Sequence, residues 1–321
     1  MKKILSLCLV ICLICMASVS ASAAENLKIC GESYSIFSSS ISEAVATKNM
    51  RTGEVSFSND VVEAQSEWGS LAANLSGSST EAWFPNMNES HYTFGDEIVN
   101  PSSLIGKDNR IKVDNTEAMP YSAICYIEID WPDGSTGMGT AFMIYDDLAL
   151  TAGHCVYSSE NGGWAKNIKV WPGKDGYGFW NNPYGTTESS HLRTASEWVS
   201  TEDEQHDWAL IELEDPIGDK TGWFGIGWSA SDLTGTDVTI SGYPGEYRYY
   251  QYKMSDKITR CATNKLYYNV IDTTGGQSGS PIYTSGNIAY GIHCYGFNTT
   301  PENSGTRITE WHFNYFCSFM D

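Results

Sequence analysis

The sequence predicts an all-β protein of two β halves closed by a C-terminal helix, preceded by a signal peptide and a propeptide. Three observations predict it. Short β-like runs follow one another from Met119 onward, turn dipeptides separate them, and the last dozen residues alone carry a helical period.

The runs are Ala123–Ile129, Thr140–Tyr145, Leu148–Ala152, Trp208–Leu213, Val238–Ser241, Lys257–Cys261, Leu266–Ile271, Pro281–Thr284 and Ile288–His293. Asp133-Gly134, Asn161-Gly162-Gly163, Pro244-Gly245, Gly275-Gly276 and Ser285-Gly286-Asn287 punctuate them. Many short strands with such turns indicate a sandwich or barrel. Residues 214 to 234 hold Pro216 and several glycines and read as a linker between the halves. At the end, Thr309 is placed to cap a helix over 309–320, whose Trp311, Tyr315 and Phe319 recur on one face.

The beginning of the chain is of another kind. Lys2 and Lys3 precede an apolar run from Ile4 to Val19, and Ala21-Ser22-Ala23 offers small residues for cleavage. This predicts a secretory signal peptide over residues 1–23 and an extracellular protein. Cys8, Cys12 and Cys15 would leave with it. Residues 24–102 are rich in Ser, Glu and Asn, with Lys28, Lys48 and Arg51 against eleven acidic residues from position 25 onward. That composition reads as a propeptide or a loosely ordered arm. The remaining domain, 103–321, divides into a first half over about 103–214 and a second over about 235–305.

The 321 residues carry a formal charge of −20, which argues against nucleic acid or an anionic membrane as partner. No segment after the signal is apolar enough to stay in a membrane, and a soluble monomer is expected. Cys30, Cys125, Cys155, Cys261, Cys294 and Cys317 remain beyond the signal. An extracellular setting permits disulfides, but sequence leaves their pairing open. No CxxC spacing survives, which disfavours a zinc site.

Three motifs carry the chemistry. Thr151-Ala152-Gly153-His154-Cys155 follows an apolar strand, Asp207 opens another, and Gly275-Gly276-Gln277-Ser278-Gly279-Ser280-Pro281 is a glycine-rich turn around a serine. A serine hydroxyl needs a base to take its proton, and imidazole titrates in the right range. A carboxylate behind the imidazole fixes its tautomer and stabilises the imidazolium. Glycines beside the serine let backbone amides, here those of Gly276 and Ser278, turn toward a developing oxyanion. The order His, Asp, Ser is that of the chymotrypsin arrangement rather than of subtilisin or the α/β-hydrolases. His154, Asp207 and Ser278 are therefore the expected catalytic triad, and this chemistry requires no metal or organic cofactor.

The His and Ser motifs resemble the corresponding boxes of trypsin-like peptidases, and Gly279-Ser280-Pro281 is similar to the bacterial glutamyl endopeptidases of the staphylococcal V8 and Bacillus type. Ser103 to Arg110 resembles the mature start of that family, and Thr221-Gly222-Trp223-Phe224-Gly225 its inter-barrel segment. The resemblance implies a chymotrypsin-like double β-barrel that hydrolyses peptide bonds after Glu, less readily after Asp. It assigns recognition of the P1 acid to Thr273 and His293. It implies that the new N-terminus left by propeptide removal helps complete the P1 pocket, since Gln277 stands where trypsin-like zymogens usually carry an acid. It also places Gly139 opposite Cys155, so the usual disulfide beside the catalytic His is missing, with Cys125 as a substitute partner. Two rivals remain: the same triad with another P1 preference, and a non-catalytic secreted binding protein on the same fold.

Overall fold

The computed structural model describes residues 26–29, 32–35, 43–58, 77–83, 104–178, 181–297 and 302–320. The predicted signal peptide, Cys30, His91 and the expected junction at residues 102–103 lie outside the described residues. Strands β1 (Asn26–Ile29) and β2 (Glu32–Ser35) form an antiparallel hairpin of their own.

The next strands are β3 (Val45–Asn49), β4 (Val55–Ser58), β5 (Gly77–Ser79) and β6 (Ile111–Lys112). They add to the edges of two larger sheets. The loosely ordered arm of the sequence reading is thus, over residues 45–58, a hairpin on a barrel. The arm is too polar to build a core, but Val45 and Ala46 become fully buried by pairing with the barrel. Burying one such valine contributes about 1.5–3 kcal/mol.

The first barrel contains β7 (Ile124–Asp130), β8 (Thr136–Met143), β9 (Leu148–Thr151), β10 (Tyr157–Ser158), β11 (Gly163–Trp164), β12 (Asn167–Pro172), β13 (Thr187–Ala195) and β14 (Ala209–Leu213). Six of these run in the order β12-β7-β8-β9-β14-β13, all antiparallel, and β13 returns to β12 to close the sheet. β10 and β11 form a separate small ladder. Ile168 and Val170 of β12 face the core, while Asn167 and Lys169 face outward, the period-2 pattern of a half-buried strand. Sequence reading missed β12 and β13 because Lys169, Glu188 and Arg193 interrupt their apolar positions.

After α1 (Ser196–Thr201), the segment between barrels holds the single-turn α2 (Gly218–Thr221) and β15 (Gly225–Ser229). It is a structured bridge, more regular than the linker expected there. The second sheet uses β16 (Asp237–Gly242), β17 (Tyr252–Lys257), β18 (Arg260–Cys261), β19 (Lys265–Tyr268), β20 (Pro281–Tyr283), β21 (Ile288–Tyr295) and β22 (Asn303–Arg307). Its order is β18-β19-β22-β21-β20-β16-β17-β6, around a core of Val238, Ile240, Ile258, Leu266, Tyr268, Ile271 and Ile282. The expected strand 257–261 is split, with Lys257 ending β17 and Arg260 opening β18.

Helix α3 (Glu310–Cys317) begins where Thr309 caps it: the Thr309 hydroxyl accepts from the His312 amide, and the His312 ring accepts from the Thr309 amide. The two barrel-like sheets and this terminal helix make the all-β double barrel that the sequence implied.

Candidate active site

Asp207 is fully buried where the loop before β14 enters the first barrel. One of its oxygens, Oδ1, accepts from the His154 amide at 2.9 Å, and Oδ2 accepts from His154 Nδ1 at 2.8 Å. This double grip fixes both the ring and the short turn that carries it. Gly153 is required beside it. A Cβ there would meet Asp207 Oδ1 at 3.0 Å, Thr194 Oγ1 at 3.1 Å and the Trp198 ring at 3.1 Å.

The electrostatics of the pair are mutual. Burial alone would push the His154 pKa down, but the Asp207 charge outweighs it and raises the imidazole well above its usual 6.5. Burial likewise opposes the Asp207 anion, yet His154 holds that carboxyl below its ordinary range. A buried anion bound this way stabilises an imidazolium, the form a general base becomes after taking a proton.

Ser278 lies in the turn between β19 and β20, in the second barrel. Its hydroxyl donates to the Cys294 carbonyl at 3.4 Å, and its own carbonyl accepts from the Thr140 amide at 2.8 Å. Among the described residues it makes no hydrogen bond to His154. The pair His154–Asp207 is assembled, whereas the link to Ser278 is open. Catalytic hydrogen bonds are often loose without substrate. Cys294 connects the two sides: its carbonyl receives the Ser278 hydroxyl, and its thiol donates to the Asp207 carbonyl at 3.1 Å.

The turn before Ser278 is strained in the way an anion-binding loop requires. Gly276 has φ of +95°, and a Cβ there would meet the Tyr243 carbonyl at 2.6 Å and the Gly245 amide at 2.9 Å. The Gly276 carbonyl is held by the Thr140 hydroxyl at 2.9 Å. Among the described hydrogen bonds, neither the Gly276 amide nor the Ser278 amide has an acceptor. Two unspent donors beside a serine are what an oxyanion needs.

A cluster that sequence reading did not find supports this loop. Arg110, its side chain fully buried, donates from Nη1 to Gln277 Oε1 and to Thr274 Oγ1, each at 2.7 Å. Its Nε and Nη2 form a fork on Asp108 at 3.0 and 2.8 Å, and Nη2 also pairs with Glu246. Gln277 is thus held by a cation from the segment just after the expected propeptide junction. Asp272 binds the same segment, accepting from the amides of Ile105 at 2.8 Å and Asn109 at 3.0 Å.

Thr273 and His293 are both buried in the second barrel. The Thr273 hydroxyl has no hydrogen-bond partner among the described residues. His293 brackets the nucleophile turn, its carbonyl accepting from the Gly279 amide at 2.7 Å and its amide donating to the Ser280 carbonyl at 2.8 Å. Its Nδ1 meets the Tyr268 hydroxyl. Burial lowers its pKa to about 3, and the nearby His154 charge adds to the effect. The ring is therefore neutral at working pH. A neutral imidazole keeps one N–H donor and one acceptor nitrogen.

The remaining histidines have other partners. His191 pairs with Glu212 and Asn49, while His206 and His312 both hold Glu43. Gly139 does face Cys155, a Cβ there lying 3.0 Å from its sulfur. Cys125 does not replace the missing partner. The five described cysteines are all free thiols.

The family model described as Trypsin matches residues 112–316. The chain belongs to the trypsin family. Glutamyl endopeptidase of Bacillus licheniformis is 39% identical over 218 residues, 65% of this chain and 66% of the relative. A protein of Bacillus subtilis named extracellular metalloprotease is 33% identical over 316 residues, 95% of this chain and 92% of the relative. A solved Glu endopeptidase in complex with MPD superposes with a TM-score of 0.60 at 31% identity, covering 67% of this chain and 98% of that one. This trypsin-family chain is a serine endopeptidase of the bacterial glutamyl endopeptidase-like group. Among its described residues, the one set of acidic and histidine side chains close enough to share a metal ion is Glu43, Glu197 and His206.

Proposed function

We propose that this chain is a secreted endopeptidase that cleaves peptide bonds after Glu, and less readily after Asp, with Ser278, His154 and Asp207 as its triad. The observation that carries the proposal is the His154–Asp207 pair, with two bonds on one buried carboxylate, beside a serine turn in which the Gly276 and Ser278 amides have no acceptor among the described hydrogen bonds. The Ser278 hydroxyl attacks the scissile carbonyl as His154 takes its proton. The amides of Gly276 and Ser278 hold the oxyanion. His154 then returns the proton to the leaving amine, and water attacks the acyl-enzyme by the same route.

The P1 reading is supported by an unpartnered buried hydroxyl at Thr273 and by a neutral His293 whose imidazole keeps one N–H. Two neutral donors suit a carboxylate without a large basic patch. Similarity to relatives named glutamyl endopeptidase points the same way. Residues 1–23 act as signal and 24–102 as propeptide in this reading, and the mature enzyme works as an extracellular monomer. The ties of Ile105 and Asn109 to Asp272, next to Thr273, support a role for the new N-terminus in the P1 pocket.

A panel of chromogenic peptides with Glu, Asp, Arg or Phe at P1 tests the specificity. The expected order is Glu, then Asp, with Arg and Phe hardly cleaved. His293→Ala should erode the Glu preference more than it slows cleavage. Preferred cleavage after Arg or Phe would remove the pocket assignment and leave the triad standing.

A further inference from the structure

β13 extends beyond the closed barrel. Thr187 and Glu188 pair with β12, while the rest of the same edge, from His191 to Ala195, is free of barrel partners. β3 fills it: Val45 pairs with Ala195, Ala46 with Thr194, Thr47 with Arg193, Lys48 with Leu192 and Asn49 with His191. Further bonds extend the ladder, from the Ser196 amide to the Ala44 carbonyl at 2.7 Å and from Lys48 Nζ to the Ala165 carbonyl at 2.7 Å. Val45 joins the hydrophobic core of the barrel, whereas Phe57 on the outer strand β4 is 64% exposed.

At the start of this strand Glu43 is 7% exposed and lies between two rings. His206 Nδ1 meets its Oε1, and His312 Nε2 lies 3.1 Å from its Oε2. His206 immediately precedes Asp207, and His312 belongs to α3. We propose that residues 43–58 are a separable strand partner for the open edge of β13, clamped through Glu43 by His206 and His312, and that they stay bound to the enzyme after the chain is cut near residue 102. Bound there, the segment steadies the loop Glu204–His206 that delivers Asp207. The proposal rests on the propeptide reading above. It adds where the severed segment docks and what holds it.

The groups facing the clamp give it a pH window. Glu43 faces His206 and His312; Glu197 and Asp203 flank His206; Thr309 occupies His312 Nδ1. Burial opposes the Glu43 charge, but the two histidines outweigh it and lower the carboxyl from 4.5 to about 2. Bonding to Glu43 raises His206 above 6.5. The Glu43 contribution is present above about pH 4.5 and is lost as pH falls toward 2. The His206 contribution is complete below 6.5 and is lost as pH rises through its raised value. Docking is therefore strongest in mildly acidic solution and loosens in alkali.

The test uses the full chain with Ser278→Ala, so that it cannot process itself. A recognition site for an unrelated protease is inserted between Trp83 and Leu104. After cleavage, native mass spectrometry over a dilution series measures retention of the N-terminal fragment. Retention is expected near pH 6, with affinity weaker by about tenfold near pH 9.5. Glu43→Gln should be weak at both pH values. If Glu43→Gln fails to fold, His206→Gln is read in its place. A fragment that leaves at once near pH 6, or that binds equally in Glu43→Gln and at both pH values, would overturn the proposal. Fluorophosphonate labelling of unaltered Ser278, run alongside, separates the readings. Without a label the hydrolytic reading fails while retention still reports on docking.

Discussion

One carboxylate with no exposure to water governs the chemistry at the residue scale. Because Asp207 raises His154 above 6.5, the imidazole becomes a free base only as pH climbs through that raised value. The acid limb of kcat/KM should thus have its midpoint above pH 6.5, as a pH–rate profile would show. Asp207→Asn removes the charge and the tautomer control. The limb should move to lower pH and kcat should fall by about 10⁴-fold. Ser278→Ala and His154→Ala should each cost about 10⁶-fold in kcat, with little further loss when combined. His293 behaves oppositely. With its pKa at about 3, KM for a Glu substrate should stay flat through pH 6.5, and a rise in KM there would show an ionising ring. The contact of His154 with Asp207 was legible because a base, an acid and a serine in glycine-rich surroundings, in that order, are what nucleophilic chemistry asks for. Arg110 and Glu43 were not legible, since an isolated charge in a polar segment reveals nothing about what it meets 160 residues later.

The entry to strand β14 and helix α3 act as one unit at the scale of elements. Trp208, fully buried next to Asp207, packs edge-on or tilted against Trp311, His312, Tyr315 and Phe316 of the helix at 5.4–5.9 Å. The four-residue spacing of Trp311 and Tyr315 announced the helix, but which strand it covers depends on contacts far apart in the chain. Trp208→Ala should destabilise the fold by about 3–5 kcal/mol in denaturant titration. The same cavity should lower kcat, because Asp207 is anchored from this side. Strands with an uninterrupted apolar face, such as β9 and β14, were legible from the sequence. β12, β13 and β22 were not. Their outward positions carry charges such as Lys169, Glu188, Arg193 and Arg307, and their inward ones include residues such as Thr194 and Thr306, which are buried only because the barrel closes over them.

The whole molecule distributes the proposed active groups over two barrels, with His154 and Asp207 on the first and the Ser278 turn on the second. Folding that joins them cannot be read from local periodicity, although the order of the three motifs announced the architecture. The same topology explains the N-terminal segment. A polar stretch with no core of its own gains order by lending β3 to one barrel and β5 to the bridge strand β15. The central claim is that Ser278 is a nucleophile activated by His154. It is tested most directly by treating the protein, with residues 1–102 removed, with a fluorophosphonate and mapping the adduct by peptide mass spectrometry. The account predicts a single adduct on Ser278 that disappears in His154→Ala. Peptide cleavage that persists with Ser278 unlabelled, or an adduct on another serine, would contradict it.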